Sequence, residues 1–308
     1  MFRVLITILF SVAFLSLTAQ NIKSLSYVGH CQVVTEEDQI NPLDGISGIE
    51  ATAFPNTYYL ITDVDASPIL YYDFNIELNN MGIDLKVNTG VSKWSKEDVT
   101  RGECIRLRPT TNELYISTEE EYKGADRTRI LKVWPEREEI LIETNLYTNS
   151  GFEGFDFSED GKYLYVAMEC CPDKKETWDT YIKKYDVETK KEVASYNYQL
   201  DKHAETVKNG ISEILLINNS TLLILERVYL YDKRKNIIRI YKGTIGKKKI
   251  KKTKVFDSDE ITPKGKVILD NIEGMTLSTD KKHIILVSDN NAMPQRQVAQ
   301  VVFLKIEE

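Results

Sequence analysis

The chain has 308 residues, of which 42% are hydrophobic and 28% charged, enough for one large all-β domain or two small ones. Its formal net charge of −7 argues against nucleic acid as the main partner, because phosphate binding needs a basic footprint. An acidic surface still suits a metal-dependent site, since a bound cation can recruit an anionic substrate.

Residues 1–20 read as a cleavable signal peptide. Arg3 precedes an apolar run over residues 4–17, and Thr18-Ala19-Gln20 offers a small residue before a polar one. The run is too short to favour a membrane span, and no cysteine lies near the cleavage region to mark a lipoprotein. The expectation is a secreted or periplasmic monomer with one domain over residues 21–308 and no membrane span after cleavage. Export permits disulfides. Of Cys31, Cys104, Cys170 and Cys171, the adjacent pair is too strained to bond to itself, which leaves Cys104 with either as an open pairing.

Five repeated units follow. They open with Gly45-Ile46-Ser47-Gly48, Arg101-Gly102-Glu103-Cys104, Gly151-Phe152-Glu153-Gly154, Gly210-Ile211-Ser212-Glu213 and Asn271-Ile272-Glu273-Gly274. Each continues through two apolar stretches separated by turn residues and ends on an acid: Asp63, Glu119, Glu169, Glu226 or Asp289. The opening polar residue and the closing acid are 16 positions apart in four units and 14 in the fourth, from Ser212 to Glu226. Pro55, Thr111, Gly161, Asn219 and Lys281 mark the midpoints, among residues that favour turns. A hairpin with such a turn brings its first and last polar residues together at its open end.

Further strand candidates fall at residues 69–76 and 84–91, 129–134 and 140–146, 180–187 and 192–200, and 236–241 and 252–256. The last unit has one more, at 298–306, and residues 24–34 can supply its missing fourth strand. Four strands per unit, closed by pairing of the N- and C-terminal strands, predict an all-β β-propeller of five four-stranded blades. A sixth, irregular blade in the longer connections and a β-sandwich are the alternatives. The lysine-rich stretch over 246–254 reads as a solvated loop and edge strand.

In a propeller the first strand of each blade lines the axis. Asp63, Glu103, Glu119, Glu153, Glu169, Glu226, Glu273 and Asp289 are therefore expected at one mouth of the channel. Glu213, one position off the repeat register, is expected to join them, and Glu50 is a weaker candidate. So many carboxylates stay ionised together only if protonation, arginine pairing or a cation offsets their charge. Oxygen donors without His or Cys favour a hard ion, calcium above all, held structurally or catalytically. Arg101, Arg106 and Arg227 are candidates for clamping substrate, with Asn290 nearby. No Gly-x-Ser-x-Gly elbow occurs, and His30, His203 and His283 show no ligand spacing.

The same segments resemble the phytase-like family of bacterial proteins, described by esterase-like activity of phytase. Residues 45–50 with 59–63, 151–156 with 163–169, 210–214 with 223–227, 271–275 with 287–291, and 295–303 carry the resemblance. Arg101-Gly102-Glu103-Cys104 departs from the Gly-aromatic-Glu-Gly pattern. The resemblance implies a propeller and calcium-dependent hydrolysis of phosphoesters or esters, acting on a small anionic or ester substrate. A non-catalytic, calcium-stabilised propeller that binds a ligand or cell-surface partner, and a lactonase-like esterase, are the competing readings.

Overall fold

The computed structural model describes residues 21–33, 45–63, 70–79, 82–93, 101–122, 125–134, 139–145, 151–170, 179–202, 207–261, 269–291 and 297–308. The expected leader, Cys171 and His203 lie outside them. After an opening strand β1 (Ser24–Gln32), the chain builds its blades in order, each from the axis outward. Blade one is β2 (Ile46–Ala51), β3 (Thr57–Thr62), β4 (Leu70–Asn79) and β5 (Gly82–Lys93). Blade two is β6 (Gly102–Leu107), β7 (Leu114–Tyr122), β8 (Ala125–Trp134) and β9 (Glu139–Asn145). Blade three is β10 (Phe152–Phe157), β11 (Tyr163–Met168), β12 (Asp179–Asp186) and β13 (Lys191–Gln199). Blade four is β14 (Val207–Asn218), β15 (Thr221–Leu230), β16 (Lys235–Ile245) and β17 (Ile250–Asp257). Blade five is β18 (Asn271–Leu277), β19 (His283–Asp289) and β20 (Gln300–Glu307), completed by β1.

The protein is a five-bladed propeller. Antiparallel pairing runs from Ser24 opposite Glu307 to Gln32 opposite Gln300, so the two ends of the chain close the ring. Both faces of the middle strands are covered by neighbouring blades, which is why they are nearly continuous apolar runs. Leu164, Val166 and Met168 face the blade-two side, whereas Tyr165 and Ala167 pack with Ile211, Ile214, Leu222 and Ile224 of blade four. The lysine-rich stretch forms the outermost strand β17 and its turn, with Lys247, Lys248, Lys249 and Lys251 exposed. No helix among the described residues is long and apolar enough to cross a membrane.

The five inner strands β2, β6, β10, β14 and β18 touch in sequence around the axis. Each carries a β-bulge at the start of the repeat motif. In four blades a single residue lies in the break between the paired positions: Ser47, Glu153, Ser212 or Glu273. In blade two the break spans Glu103 and Cys104. A bulge leaves its extra residue outside the ladder and re-aims the side chain. The glycine that follows makes room for the next inner strand. A Cβ on Gly154 would lie 2.6 Å from the backbone nitrogen of Ile214, and one on Gly274 would lie 3.0 Å from the carbonyl oxygen of Ser47.

Gly154→Ala is therefore expected to destabilise the protein by about 2–3 kcal/mol through overpacking against backbone. Gly29→Ala, where a Cβ would meet nothing within 4 Å, serves as the control. Equal urea midpoints for the two variants would contradict this account of the inner ring.

Candidate functional site

Two layers of polar side chains occupy the axis. The deeper one is built on Arg106, which is fully buried. Ile49, Ile105, Phe155, Ile214 and Met275 are equivalent positions in the five inner strands. Nη1 of Arg106 donates to the carbonyls of Ile49 at 2.9 Å and Ile105 at 2.8 Å, and Nη2 to those of Ile214 and Met275 at 3.1 Å. The fifth carbonyl, of Phe155, faces the Cys104 thiol at 3.7 Å. Glu213 lies 2.9 Å from the guanidinium, Glu50 3.7 Å and Asp156 4.0 Å. Burial opposes the charge on Arg106, but Cys104, Glu213, Glu50 and Asp156 hold it protonated. Burial also pushes Glu213 up to about 8 and Glu50 up to about 7, while Arg106 acts to lower both. Cys104 is a buried free thiol beside Glu213, so it is not bridged to either downstream cysteine.

The second layer is the mouth. The bulges bring Glu103, Glu153 and Glu273 towards one another, while Asp63, Glu119, Glu169 and Asp289 stand at the ends of the second strands. Asp63, Glu119 and Glu169 each donate a backbone N–H to the carbonyl of the residue that opens the unit, and Asp289 pairs with Asn271. The acids influence each other's titration. Glu103 is held well above the ordinary carboxylate range by burial and then by Glu153, Glu119, Asp63 and Glu273. Glu153 is raised well above that range by burial, Glu169, Glu119 and Glu273. Asp289 rises likewise through burial, Glu273 and Asp63. Burial raises Glu119 despite the nearby Arg101. Glu273 rises to about 7, mainly by burial, with Arg227 opposing.

Among the described residues, three cations stand with these seven acids. Arg101, at φ 53°, lies 3.6 Å from Glu119. Lys208 lies 2.9 Å from Glu169, and Arg227 is 2.9 Å from Glu273 and 3.7 Å from Glu169. Arg227 also bonds Asn271, whose amide nitrogen reaches Glu273 at 2.9 Å and Asp289 at 3.1 Å.

The structure separates several residues that the sequence grouped. Glu213 belongs to the deeper layer and Arg106 is the plug of the axis, not a clamp at the mouth. Glu226 sits between blades three and four, where it accepts from Tyr198 and Lys252, both at 2.6 Å. Its expected place is taken by Arg227, which pairs with Gly210 as Asp289 pairs with Asn271. The fourth hairpin has a tighter turn, and the acid that ends its second apolar stretch stands one residue before the equivalent position. Asn290 is buried, with its side-chain oxygen accepting from the Gly45 amide at 2.9 Å across the closing blade. Lys208 was missed because nothing in the repeat marks it.

Among the described residues the chemistry of the mouth fits a hard cation: the ligating groups are carboxylate oxygens, acids outnumber bases, and Glu169 Oε2 is buried without a hydrogen-bond partner. As the side chains stand, no group of three or more His, Cys, Asp or Glu among the described residues is gathered tightly enough to hold an ion. A cation would therefore have to draw the carboxylates inward. Beside the mouth, between blades four and five, a cavity of about 790 Å³ is lined by Glu169, Lys208, Arg227, Arg234, Asn236 and Asn271, among others.

The model of the phytase-like family, described as esterase-like activity of phytase, matches residues 41–292. No curated protein matches the chain. Among solved structures, an endo-arabinase from Bacteroides thetaiotaomicron aligns at 12% identity and a TM-score of 0.53, covering 87% of this chain and 95% of its own. An exo-beta-1,3-galactanase from Phanerochaete chrysosporium aligns at 7% identity and a TM-score of 0.53, covering 93% and 67%. At such identities the likeness is one of fold.

Two outcomes follow from these layers. Arg106→Met strands four carbonyls, the buried Glu213 and the half-buried Glu50 and Asp156, and should cost about 3–5 kcal/mol in urea unfolding; a loss below about 1 kcal/mol would refute the plug. The second concerns pH. A carboxyl whose folded value lies above its ordinary 4.5, as Glu273 does at about 7, stabilises the fold below the ordinary value. That contribution is lost as pH rises through about 7. Chelated protein should thus be less stable at pH 8 than at pH 6, by on the order of 1 kcal/mol, and Glu273→Gln should flatten the slope. Stability that is level or rises over this interval would show that the mouth does not hold protons.

Proposed function

The chain belongs to the phytase-like family, and on that premise we propose that it is an exported hydrolase of phosphoesters or carboxylic esters whose acidic mouth holds calcium. The observation that carries the proposal is the imbalance at the mouth. Among the described residues, Asp63, Glu103, Glu119, Glu153, Glu169, Glu273 and Asp289 stand with three cations, Arg101, Lys208 and Arg227, and burial and mutual repulsion raise most of the acids. A divalent ion with flexible oxygen coordination relieves that imbalance better than protonation does at neutral pH.

Of these acids, Glu103, Glu153 and Glu273 would supply ligands from three different blades, with Asp63 and Asp289 beside them. Bound calcium would supply Lewis-acid polarisation of the scissile group and a water of lowered pKa. The chain's own residues set the surroundings. Arg106 and its acids close the axis beneath the mouth, so a substrate approaches from one side. Arg227 and Lys208 hold Glu169 and Glu273 in place and present positive charge towards the side cavity.

Calcium added to chelated protein should raise the melting temperature and elicit hydrolysis in a panel of phosphomonoesters and carboxylic esters. Glu153→Gln with Glu273→Gln should abolish both. Stabilisation without turnover of any substrate would convert the protein to a calcium-held binding propeller. Absence of any calcium effect would remove the metal from the proposal altogether.

A further inference from the structure

The outer rim of blade four carries a cluster of cations without acidic partners. Lys247, Lys248, Lys249 and Lys251 are exposed, line a concavity of about 540 Å³, and make no ion pair among the described residues. Their neighbours differ: Lys252 bonds Glu226 and Asp201, and Lys254 bonds Asp257 and Glu260. The backbone that bears the four is fixed. The amide of Gly246 donates to the Lys249 carbonyl at 3.0 Å, and that of Asn197, in the outer strand of blade three, to the Lys248 carbonyl at 2.9 Å. Four unpaired like charges held on one turn and the start of one strand repel one another, and an extended negative partner is attracted by all four at once.

The make-up of the patch and its place on the ring define that partner. It holds lysines and no arginine, so it offers mobile point charges rather than the planar forks that fix a single carboxylate or phosphate. The rest of the lining, Asn197, Thr244 and Gly246, is exposed, and no buried polar side chain cradles one small anion. A charged surface suits such a patch better than an ion does. Because β14 starts at the mouth, the turn after β16 lies at the opposite end of the ring, as does the start of β1. In this sector β1 packs against β17, and Lys242 of β16 donates to the carbonyl of the buried Ile22 at 2.7 Å. The part of the chain that carries the apolar run of residues 4–17 therefore joins the domain beside these lysines.

We propose that this lysine turn docks the domain on an anionic phospholipid bilayer, with the mouth directed away from it. Lipid headgroups present a continuous sheet of negative charge, each lysine close to it adds to binding, and the attraction fades within a Debye length. The inference rests on the export reading of the proposed function, because an exported chain crosses a bilayer led by its apolar run, but its test requires neither export nor turnover.

Co-sedimentation of residues 21–308, which hold the complete closed ring, with lipid vesicles tests it. The domain should bind vesicles rich in phosphatidylglycerol and leave pure phosphatidylcholine vesicles alone. Combining Lys247→Gln, Lys248→Gln, Lys249→Gln and Lys251→Gln should weaken binding at least about tenfold, as should raising the salt to roughly 0.5 M. Arginine at the same four positions should preserve binding, and neither set should move the melting temperature, since these side chains make no ion pair within the fold. No binding to phosphatidylglycerol, equal binding to both lipids, indifference to the fourfold Lys→Gln change, or capture by soluble polygalacturonate but not by vesicles would each overturn the assignment. Cell fractionation separates the two readings: export without vesicle binding defeats only this inference, and vesicle binding by a protein that stays inside the cell defeats only the export reading.

Discussion

Five inner strands that meet at an axis bring five equivalent backbone carbonyls together at the buried centre of the ring. Buried acceptors of this kind must find donors. One guanidinium supplies four of them, because only arginine presents several N–H groups in a rigid planar fork. Arg106 thereby touches the backbone of blades one, two, four and five and the carboxylate of Asp156 in blade three. One side chain holds all five blades in register about the axis. Its own charge is in turn offset by Glu213, Glu50 and Asp156.

The plug shapes what lies above it. Arg106 closes the axis on one side of the bulged residues. The bulge and the glycine after it solve one problem together: the inner strands approach closely enough to share a guanidinium, yet their first polar side chains are re-aimed out of the ladder. Gly48, Gly154 and Gly274 follow this rule. In blades two and four the same position holds Cys104 and Glu213, and these two side chains meet each other at 3.3 Å beside Arg106. The two departures from the repeat are therefore one feature, a pair of larger residues that completes the plug.

The fold was readable because its signal repeats. Hairpins of constant length, turn residues at their midpoints and a leftover final strand specify a ring closed by its own terminus, and β1 pairs with β20 as that pattern requires. Much of the mouth was readable too, since Glu103, Glu153 and Glu273 recur at one position. What escaped was whatever depended on breaking the repeat. Arg227 replaces an acid after a shortened turn, so the residue before it, Glu226, was assigned its role. Arg106 looked like a substrate clamp because it stands three residues after Glu103, and only the convergence of strands in three dimensions shows that this position faces the axis from below. A strand rises about 3.3 Å per residue, so three positions carry Arg106 well below the bulged Glu103.

The replacement at Arg227 links the mouth to the cleft beside it. An acid there would have completed a ring of like charges at the ends of the second strands. Arginine instead makes the mouth asymmetric. Blades one, two, three and five present carboxylates at that position, and blade four presents a cation that reaches Glu169 on one side and Glu273 on the other. Positive charge is thus concentrated where Lys208 and Arg234 also stand, next to the cavity. Fivefold repetition alone would not have produced this polarity.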